Sequence, residues 1–460
     1  MKKNDILTLE IESMTNLGFG VAHSSGIVVF VGGAVTGEVA EVKVIKLTRS
    51  YAVGRVEKII KNSPSRDNTR CGNSYCSSCA FKSIKYADEL KFKESEVKEC
   101  FIKTGLSDVK LDEIIPSPKC REYRNKAQYP IAKDKNGEYV VGFFAPKSHR
   151  VTEAAHCPLA PSVFAEIIEV LKSFFKRYSL SVYDEKSSRG LLRHIYIRRG
   201  EVSGEILLTL VINGEEIPHI DEFVRCITEH FPAIVGILLN VNTKNTNVIL
   251  GEKYITLFGR DYIYDTLCGV ELKISAPAFY QVNHDAAELL YKKARELAAP
   301  TKDDVLLDLY CGAGSIGLSM ADSGCEIIGI EIVESAVFCA RENAARSGIE
   351  NAKFYPGDAK NTENLLATAE ADLGRKIEPT IILLDPPRAG CDEETIRFVA
   401  SLSPKRIVYI SCNPATLARD CAIFKVLGYR YGNVTPIDLF PGTGHVESVV
   451  CLTRKSGGNQ

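Results

Sequence analysis

The sequence lacks two features that would indicate a membrane or export route: a long apolar run and an apolar leader. No stretch of its 460 residues approaches the ~18 consecutive apolar residues that span a bilayer. The opening MKKNDILTLE has no apolar core of the kind found in signal peptides. We therefore expect a soluble, cytoplasmic protein without membrane contact, and its length predicts two or three domains.

The sequence also has little net charge, since 57 Lys and Arg residues face 58 Asp and Glu residues. This charge is unevenly distributed along the chain. Residues 1–61 hold eight basic and six acidic residues, and residues 62–157 hold seventeen and thirteen, so the first third is about +6 and the remainder about −7. The excess is compatible with RNA or DNA contact near the N-terminus, or with ordinary surface charge.

Disulfide bonds are not expected, because nothing in the sequence indicates export to an oxidising compartment. The chain nevertheless has fifteen cysteines, most of them in apolar stretches that predict small core residues. Four are set apart by a C-x4-C-x2-C motif with one distant partner: Cys71, Cys76, Cys79 and Cys157. This spacing is typical of an iron–sulfur cluster or of tetrahedral zinc, unless it is coincidental. Cys100 and Cys120 are alternative fourth ligands.

Residues 1–60 contain short strand-like stretches separated by glycine-rich turns. The stretches are ILTLEIES, GIVVFVG, EVAEVKVIKL and YAVGRVEKII. Their length and spacing predict a small five-stranded β-barrel of the OB type. Such barrels often bind single-stranded nucleic acid, and a purely structural β-module is the alternative.

Residues 61–268 mix helical and strand patterns around the four spaced cysteines, which predicts an α+β domain. KYADELKFKESEVKECFIKTG is helical, whereas LLRHIYIRRG and EILLTLVING are predicted to be paired strands. Four arginines lie on or near the first of these strands: Arg189, Arg193, Arg198 and Arg199. They are predicted either to contact RNA phosphates or to form a solvated strand face.

Residues 269–460 alternate apolar strands with helical segments. This alternation predicts an α/β domain of the Rossmann-like, doubly wound type, with a mostly parallel sheet covered on both faces. Ligands bind such sheets at the carboxyl ends of the strands. The residues that fall at these ends are Asp308–Gly314, Glu331, Asp358, Asp385 and Cys412.

The motif DLYCGAGSIGL follows the first of these strands and supplies a glycine turn for a nucleoside cofactor. Gly312 and Gly314 lack the Cβ that would keep a ligand from the backbone, and Tyr310 precedes them. Glu331 ends the second strand, where it can accept hydrogen bonds from ribose hydroxyls. Asp358, after the third strand, can reach an adenine. Both NAD and S-adenosylmethionine fit these features.

Three residues further along favour addition chemistry over hydride transfer. Asp385 lies in LLDPPRAG, where two prolines make a stiff turn that can present a carboxylate to a flat substrate. Cys412 follows the fifth strand in YISCNPATLARD, where a thiol can act as a nucleophile. Glu447 in GHVESVV can act as a base, with His445 two residues earlier on the same strand face. The alternatives are a helix-capping aspartate, a structural thiol and exposed strand residues.

These three groups suit methylation of uracil at carbon 5. A thiolate that adds to carbon 6 makes carbon 5 nucleophilic toward an electrophilic methyl group. A base must then remove the carbon 5 proton before the thiolate leaves. A hydride-transfer enzyme would have no use for such a cysteine and base.

Together these motifs resemble the S-adenosylmethionine-dependent RNA uracil-C5 methyltransferases over nearly the whole chain. The resemblance implies a TRAM domain with an OB-like barrel at residues 1–60 and a central iron–sulfur, RNA-binding domain at residues 61–268. It also implies a class I methyltransferase domain at residues 269–460. CGNSYCSSCAF resembles the family's cluster site, so the implied ligands of a [4Fe-4S] cluster, or of zinc, are Cys71, Cys76, Cys79 and Cys157.

The same resemblance implies roles for residues of the methyltransferase domain. SAPAFYQVN is similar to the segment that enters this domain, and its Gln281 is implied to contact the methyl donor. The other implied cofactor-binding residues are Tyr310, Glu331, Asp358 and Asp385. Cys412 matches the nucleophile and Glu447 the base.

The branch of this family that carries a TRAM domain modifies 23S ribosomal RNA, which is therefore the expected partner of a monomeric enzyme. A uridine in the tRNA T-loop is one alternative, and an NAD-dependent iron–sulfur oxidoreductase is another. The RNA cytosine-C5 methyltransferases carry a cysteine directly after Asp-Pro-Pro, where this sequence has Arg388. A catalytically idle RNA-binding protein would have no use for Cys412 and Glu447.

Overall fold

The computed structural model describes residues 1–73, 76, 78–145, 148–361 and 364–455. The strands of its N-terminal β-domain are β1 Ile6–Glu10, β2 Ser13–Met14, β3 Phe19–Ser24, β4 Ile27–Gly32, β5 Val39–Leu47 and β6 Tyr51–Lys61. They form one sheet in the order β1-β5-β6-β4-β3-β2, with only the β4–β6 pair parallel among these strands. Alternate residues such as Val29 and Val31 are fully buried in its core. The sequence predicted five strands, one fewer than the structure has. The strand β2 is only two residues long, which is too short to give a pattern in the sequence.

The central part of the chain is built on a second sheet. Its elements are α1 Tyr86–Lys103, β7 Lys126–Lys133, β8 Tyr139–Phe144, β9 Val151–Glu153, α2 Ser162–Arg177, β10 Leu192–Arg199, β11 Ile206–Ile212, α3 Ile220–His230, β12 Ile234–Val241 and β13 Lys253–Gly259. The strand order is β13-β12-β11-β10-β7-β8-β9. The helices α2 and α3 cover one face, where Phe164 and Phe223 pack in the same core as Ile195 and Leu208.

A hairpin connects the central sheet to the C-terminal domain. It consists of β14 Tyr262–Leu267 and β15 Val270–Ser275. Cys268 and Gly269 form its two-residue turn with φ angles of 50° and 81°, as a type I′ turn requires. The predicted boundary at residue 268 lies in this turn.

The C-terminal domain has the predicted alternation of strands and helices. Its elements are α4 His284–Ala298, β16 Val305–Leu309, α5 Ser315–Leu318, a short 3₁₀ helix Ala321–Ser323, β17 Glu326–Glu331, α6 Glu334–Arg346, β18 Ala352–Pro356, α7 Ala367–Leu373, β19 Ile381–Leu384, α8 Glu393–Ser401, β20 Arg406–Ser411, α9 Pro414–Val426, β21 Tyr429–Ile437 and β22 Glu447–Arg454. The strand order is β18-β17-β16-β19-β20-β22-β21. The first five strands in this order, from β18 to β20, are parallel to one another, whereas β22 runs antiparallel to both of its neighbours. The prediction of a doubly wound, mostly parallel sheet is confirmed.

Successive residues of the central strands pack into two different cores. Leu306 of β16 belongs to the core that includes α4 and α6, and Leu307 belongs to the core that includes α8 and α9. Strands buried on both faces become near-continuous apolar runs in the sequence. Val97 and Phe101 of α1 enter the second core, so this helix packs on the C-terminal domain. In the part of the chain that the structure describes, no helix is long and apolar enough to cross a membrane.

Candidate active site

The glycine turn follows β16 and opens toward solvent. Tyr310 has a φ of 67°, and Gly312 follows with a φ of 55°. A Cβ built on Gly312 would meet nothing within 4 Å, so the backbone of the turn is open to a ligand on that side. Cys311 is buried beneath the turn, and burial raises the pKa of its thiol well above the ordinary value.

Glu331 is held directly against this turn. Its carboxylate accepts a hydrogen bond from the Gly312 N–H at 3.1 Å and another from the Val333 N–H at 2.9 Å. Asp358 lies exposed after β18, and its carboxylate accepts the Lys360 N–H at 3.0 Å. Because β16, β17 and β18 are adjacent and parallel, the turn, Glu331 and Asp358 share one edge of the sheet.

A buried carboxyl that was not predicted to be a site residue lies under the glycine turn. Asp308 is 1% exposed, and one carboxylate oxygen accepts the Gly317 N–H at 3.1 Å. Its other oxygen has no partner among the described residues. Burial raises the pKa of Asp308 to about 8. The sequence signal was an aspartate directly before the glycine turn, in a strand that is otherwise apolar.

Gln281 lies just before α4, at the junction between the central sheet and the C-terminal domain. It is 8% exposed, and its backbone carbonyl accepts a hydrogen bond from the Asn125 side chain at 2.8 Å. Asn283 caps α4 by accepting the Ala286 N–H, and its amide also donates to the Leu439 carbonyl at 2.9 Å. The segment that carries Gln281 is thus fixed from both sides.

The structure brings Asp385, Cys412 and Glu447 together, as the sequence predicted. They lie at the ends of β19 and β20 and at the start of β22, which are adjacent strands. Burial and, second to it, the nearby charge of Asp385 raise the pKa of Glu447 to about 8. Burial also raises the pKa of Asp385 to about 7. Burial and the charge of Glu447 raise the pKa of the Cys412 thiol.

Arg388 is the cation of this group, and sequence reasoning did not assign it a role. It lowers the pKa of Cys412 through its charge and a hydrogen bond, and its charge opposes the raised pKa of Glu447. Asn413 donates to the Arg388 carbonyl at 3.1 Å, which ties the Asp-Pro-Pro turn to the loop after β20. The feature of the sequence that could have indicated this role is the position of Arg388 directly after the two prolines of the Asp-Pro-Pro turn.

Two predictions for this region are wrong. His445 does not share a strand face with Glu447, because β22 begins only at Glu447. The His445 ring instead accepts a hydrogen bond from Arg388 at 3.2 Å in the preceding loop. Arg193 and Arg198 form no solvated strand face, since they are 6% and 1% exposed. Both donate to backbone carbonyls, Arg193 to that of Asn242 and Arg198 to that of Ala278.

The four spaced cysteines line a separate cavity of about 260 Å³. The pKa of the Cys79 thiol is raised to about 12, mainly by burial and also by the charges of the other three cysteines, against the lowering effect of Arg124. Cys120 lines the same cavity, whereas Cys100 lies on α1 outside its lining. Among the described residues, no group of three or more His, Cys, Asp or Glu side chains is arranged to hold a metal ion. The iron–sulfur cluster therefore stays a prediction.

The family of the chain follows from comparison with known proteins. A family model described as tRNA (Uracil-5-)-methyltransferase matches residues 85–455, and a TRAM domain model matches residues 2–56. A protein of Clostridium acetobutylicum named as an uncharacterized RNA methyltransferase is 38% identical over 99% of this chain and 98% of its own length. One of Streptococcus pyogenes with the same kind of name is 39% identical over 99% of this chain and 97% of its own.

A solved structure supports the same assignment. The crystal structure of Pyrococcus abyssi tRNA (uracil-54, C5)-methyltransferase in complex with S-adenosyl-L-homocysteine matches with a TM-score of 0.78 and 27% identity. The match covers 97% of this chain and 99% of that one. The family and this complex support S-adenosylmethionine, rather than NAD, as the cofactor of the enzyme. The chain belongs to the tRNA (Uracil-5-)-methyltransferase family, whose members use S-adenosylmethionine to methylate carbon 5 of uracil in RNA.

Proposed function

We propose that this enzyme methylates carbon 5 of a specific uridine in 23S ribosomal RNA, with Cys412 as nucleophile and Glu447 as base. The observation that supports the mechanism most directly is that the ends of β19 and β20 and the start of β22 lie side by side. Asp385, Cys412 and Glu447 lie within electrostatic reach of one another and of the Arg388 guanidinium. A thiol, a carboxyl with a raised pKa and a cation are the groups that addition to carbon 6 and deprotonation of carbon 5 require.

The reaction proceeds by addition and elimination on the uracil ring. The sulfur of Cys412 bonds to carbon 6, and the electron pair of the C5–C6 double bond moves to form an enolate. Bound S-adenosylmethionine would supply the electrophilic methyl group: carbon 5 bonds to it as the methyl–sulfur bond breaks, and S-adenosylhomocysteine is the leaving group. Glu447 then accepts the carbon 5 proton, the double bond forms again, and the carbon–sulfur bond breaks to return the thiolate.

The environment of Glu447 suits this role. Burial raises its pKa to about 8, so both its acid and its base forms are populated near neutral pH. A general base acts most efficiently when its pKa lies near the working pH. The Arg388 charge lowers the pKa of the Cys412 thiol against the effect of burial, which favours the thiolate that attacks.

The cofactor-binding residues that we propose are Gln281, Tyr310, Glu331, Asp358 and Asp385. Glu331 has the strongest structural support, because two backbone N–H groups fix its carboxylate beside the open glycine turn. Asp385 lies between this edge and the thiol. The nearby charge of Asp385 raises the pKa values of both Asp308 and Cys412. It can therefore border both the cofactor and the uracil.

A Glu447→Gln variant tests the mechanism. We expect it to accumulate a covalent RNA adduct through Cys412, because carbon 5 is methylated but cannot lose its proton. The adduct is seen as a protein band of reduced mobility on a denaturing gel. Cys412→Ala is the matched control, which should form no adduct while still binding S-adenosylhomocysteine. A Glu447→Gln variant with normal turnover and no adduct would contradict the assignment.

A uridine in tRNA is a second candidate substrate, and a specific observation favours it. The Pyrococcus abyssi structure is that of a tRNA (uracil-54, C5)-methyltransferase, and the match leaves out only 3% of this chain, so it extends over the N-terminal β-domain. A TRAM domain is therefore compatible with either RNA. Mapping 5-methyluridine in total RNA from a strain without the gene separates the candidates, because the modification disappears from 23S RNA in one case and from tRNA in the other.

We also propose that Cys71, Cys76, Cys79 and Cys157 hold a [4Fe-4S] cluster with a structural role. Their shared cavity supports this, as does the buried Arg124 Nε, which has no hydrogen-bond partner among the described residues. A cluster would join the segment of the first three cysteines to the loop of the fourth. Purification without oxygen, followed by iron and zinc analysis, tests the site. Equal metal content in the wild type and in Cys76→Ser would overturn the proposal.

A further inference from the structure

The motif YISCNPATLARD extends beyond Cys412, the one residue of it that the proposed mechanism uses. Residues 414–420 of the motif form about two turns at the start of α9. These turns pack beside the loop 386–391, which follows β19 and carries Arg388. The contacts between α9 and this loop indicate a further role for the motif.

Two polar side chains at the start of α9 contact the backbone of the loop. The Asn413 amide donates to the Arg388 carbonyl at 3.1 Å. The Thr416 hydroxyl bonds the Asn413 carbonyl at 3.0 Å and lies 3.4 Å from the same Arg388 oxygen. Because Asn413 directly follows Cys412, the Arg388 backbone is tied to the loop of the nucleophile itself.

An arginine and an aspartate one turn further along α9 bind the end of the loop. Arg419 donates to the carbonyls of Ala389 and Cys391 at 3.0 and 2.8 Å. Asp420 accepts the Cys391 N–H at 2.9 Å. The two side chains also form an ion pair with each other at 2.7 Å. The Arg419–Asp420 pair therefore holds the loop by its backbone.

The carboxylate of this pair is fixed by a residue outside the loop. Asp420 has no exposed surface, and the Tyr409 hydroxyl of β20 donates to it at 2.5 Å. Tyr409 is also fully buried and lies three residues before Cys412. A buried carboxylate is stable where donors satisfy it, and Tyr409, Cys391 and Arg419 supply them. The support of the loop is thus anchored on the strand that leads to the nucleophile.

The backbone of the loop fits closely against this support. Gly390 has a φ of 75°, and a Cβ built on it would lie 2.6 Å from an Asp420 carboxylate oxygen and 2.7 Å from an Arg419 nitrogen. The Gly390 N–H also donates to the Pro387 carbonyl at 2.8 Å, which closes a turn around Arg388. The backbone on both sides of Arg388 is therefore fixed, by its own turn and by α9.

The group that this loop carries into the active site is the Arg388 guanidinium. It bonds the His445 ring at 3.2 Å and lies within reach of the Cys412 thiol. The other charged groups that face the thiol are acidic, namely Asp385 at the end of β19 and Glu447 of β22. The attraction between a guanidinium and a thiolate weakens with distance. The path of the loop therefore decides how strongly Arg388 favours the thiolate.

We propose that Arg419 and Asp420 are positioning residues, which hold the loop 386–391 by its backbone and so keep the Arg388 guanidinium beside the Cys412 thiol. Both residues act through Arg388 and not on the uracil. This inference deepens the proposed function and rests on it for the role of Cys412 as nucleophile. The second half of the motif then serves the same reaction as its cysteine.

The reactivity of the thiol without RNA tests the proposal independently of methylation. The full-length protein is treated with iodoacetamide over a range of pH, and alkylation of the peptide that holds Cys412 is followed by mass spectrometry. We expect Arg419→Met to raise the pKa of this thiol, as Arg388→Met does, because the released loop no longer holds the cation beside the thiolate. Arg419→Lys should show a smaller rise, since lysine can still donate to one carbonyl.

Two further variants guard against a general loss of structure. Tyr409→Phe is milder, since it removes one hydroxyl from Asp420 and leaves the ion pair in place, and it should also raise the pKa of the Cys412 thiol. Arg397→Met is the matched control, because Arg397 pairs with Glu393 on the exposed surface of α8. It should leave the thiol unchanged.

A double-mutant cycle separates positioning from other effects. Adding Arg419→Met to Arg388→Met should raise the pKa of the Cys412 thiol no further, because the cation that is positioned is already absent. A direct effect of the Arg419 charge on the thiol would persist in the double variant. An equal rise with and without Arg388, or no rise in Arg419→Met and Tyr409→Phe, would overturn the proposal.

Single-turnover methylation with saturating RNA relates the pair to the proposed function. We expect Arg419→Met to be about threefold to tenfold slower at pH 7.5, the size of effect that the loss of one or two hydrogen bonds gives. The loss should shrink as the pH rises, and the affinity for S-adenosylhomocysteine should be unchanged. Normal methylation by Arg419→Met at every pH would overturn the positioning role alone. A wild-type protein that methylates neither 23S RNA nor tRNA would overturn the proposed function, even where the thiol still responds to Arg419 through Arg388.

Discussion

Arg388 influences the ionisation of the site through its side chain and connects two loops of the site through its backbone. Its guanidinium acts on Cys412 and Glu447, and its carbonyl accepts the Asn413 side chain at 3.1 Å. The two prolines before it remove backbone donors and fix the turn. One residue therefore connects the loops after β19 and β20, which lie side by side because these strands are paired.

The charge of Arg388 predicts a change in the pH profile. Arg388→Met removes the cation that lowers the pKa of Cys412, so the thiol titrates at higher pH and less thiolate is present at pH 7.5. At a given pH below the pKa, a higher pKa means a smaller thiolate fraction. We expect single-turnover methylation to be clearly slower at pH 7.5 and to recover partly as the pH rises.

The control for this prediction is Arg388→Lys, which keeps a positive charge and should restore part of the rate. Measurement of the single-turnover rate from pH 6.5 to 9.5 distinguishes the two variants. A rate for Arg388→Met that falls equally at every pH would show that Arg388 supports structure rather than the ionisation of the thiol.

Helix α1 shows how a single element links distant segments of the chain. Lys93 is completely buried, and its ammonium donates to Glu89 at 2.8 Å and to Asp438 at 2.7 Å. It also donates to the Phe440 carbonyl at 3.2 Å. Glu89 in turn accepts the Gly442 N–H at 2.6 Å. The helix thereby holds the segment 438–442, which leads into Glu447.

The ion pairs of α1 predict a large loss of stability in Lys93→Met. The variant leaves the Asp438 carboxylate buried without the ammonium that pairs with it, which costs about 3–5 kcal/mol in comparable buried pairs. Glu89 keeps its ion pair with Arg70. We expect a clearly lower urea midpoint by circular dichroism. Lys91→Met is the matched control, because Lys91 is exposed and its ion pair is with Asp88, at 3.4 Å on the helix surface. Adding Asp438→Asn to Lys93→Met should recover part of the loss, because it removes the buried charge that the lysine variant leaves without a cation. Equal midpoints for the two lysine variants would contradict the argument.

Most elements of the methyltransferase domain could be predicted from the sequence, because strand and helix periods are local. The same periods placed Asp385 and Cys412 at strand ends, and parallel topology then put those ends together. Lys93 could not be assigned in this way, since its partner Asp438 is 345 residues away. The segment containing His445 was predicted to be strand, but β22 begins only at Glu447, after a turn with Gly442 and Gly444.

The burial of Arg198 was missed for a different physical reason. A strand with alternating polar residues usually has one solvated face. Here α2 and α3 cover one face of the central sheet, and the core of the C-terminal domain and its hairpin covers the other. Tyr196 and Leu207 belong to that second core. Burial of both faces is a property of how the domains pack, which a local pattern does not record.

At the scale of the whole molecule, three parts of the chain meet beside the active site. Phe81 of the central part donates its N–H to the Gly442 carbonyl at 2.8 Å, and the Tyr123 hydroxyl donates to the Pro441 carbonyl at 3.0 Å. Asn16 of the N-terminal β-domain donates to Glu96 of α1 at 2.7 Å. The loop before Glu447 is thus shaped by contacts from the N-terminal and central parts of the chain as well as from its own domain.

Gly444 of this loop lies against the backbone of Asn16 in the N-terminal β-domain. A larger residue at Gly444 is therefore predicted to reduce methylation by moving the two domains apart. A Cβ on Gly444 would lie 1.8 Å from the Asn16 carbonyl oxygen, so Gly444→Ala must push the N-terminal β-domain and the loop apart. We expect RNA methylation to fall by about tenfold to a hundredfold, because small displacements of reacting groups have effects of that size. Binding of S-adenosylhomocysteine, measured by calorimetry, should be unchanged, since its proposed residues lie at the ends of β16 to β19 and just before α4, away from the contact of Gly444 with Asn16. Gly432→Ala is the control, where a Cβ would lie 3.4 Å from its nearest neighbour. Equal activity of the two variants would show that this contact does not position Glu447.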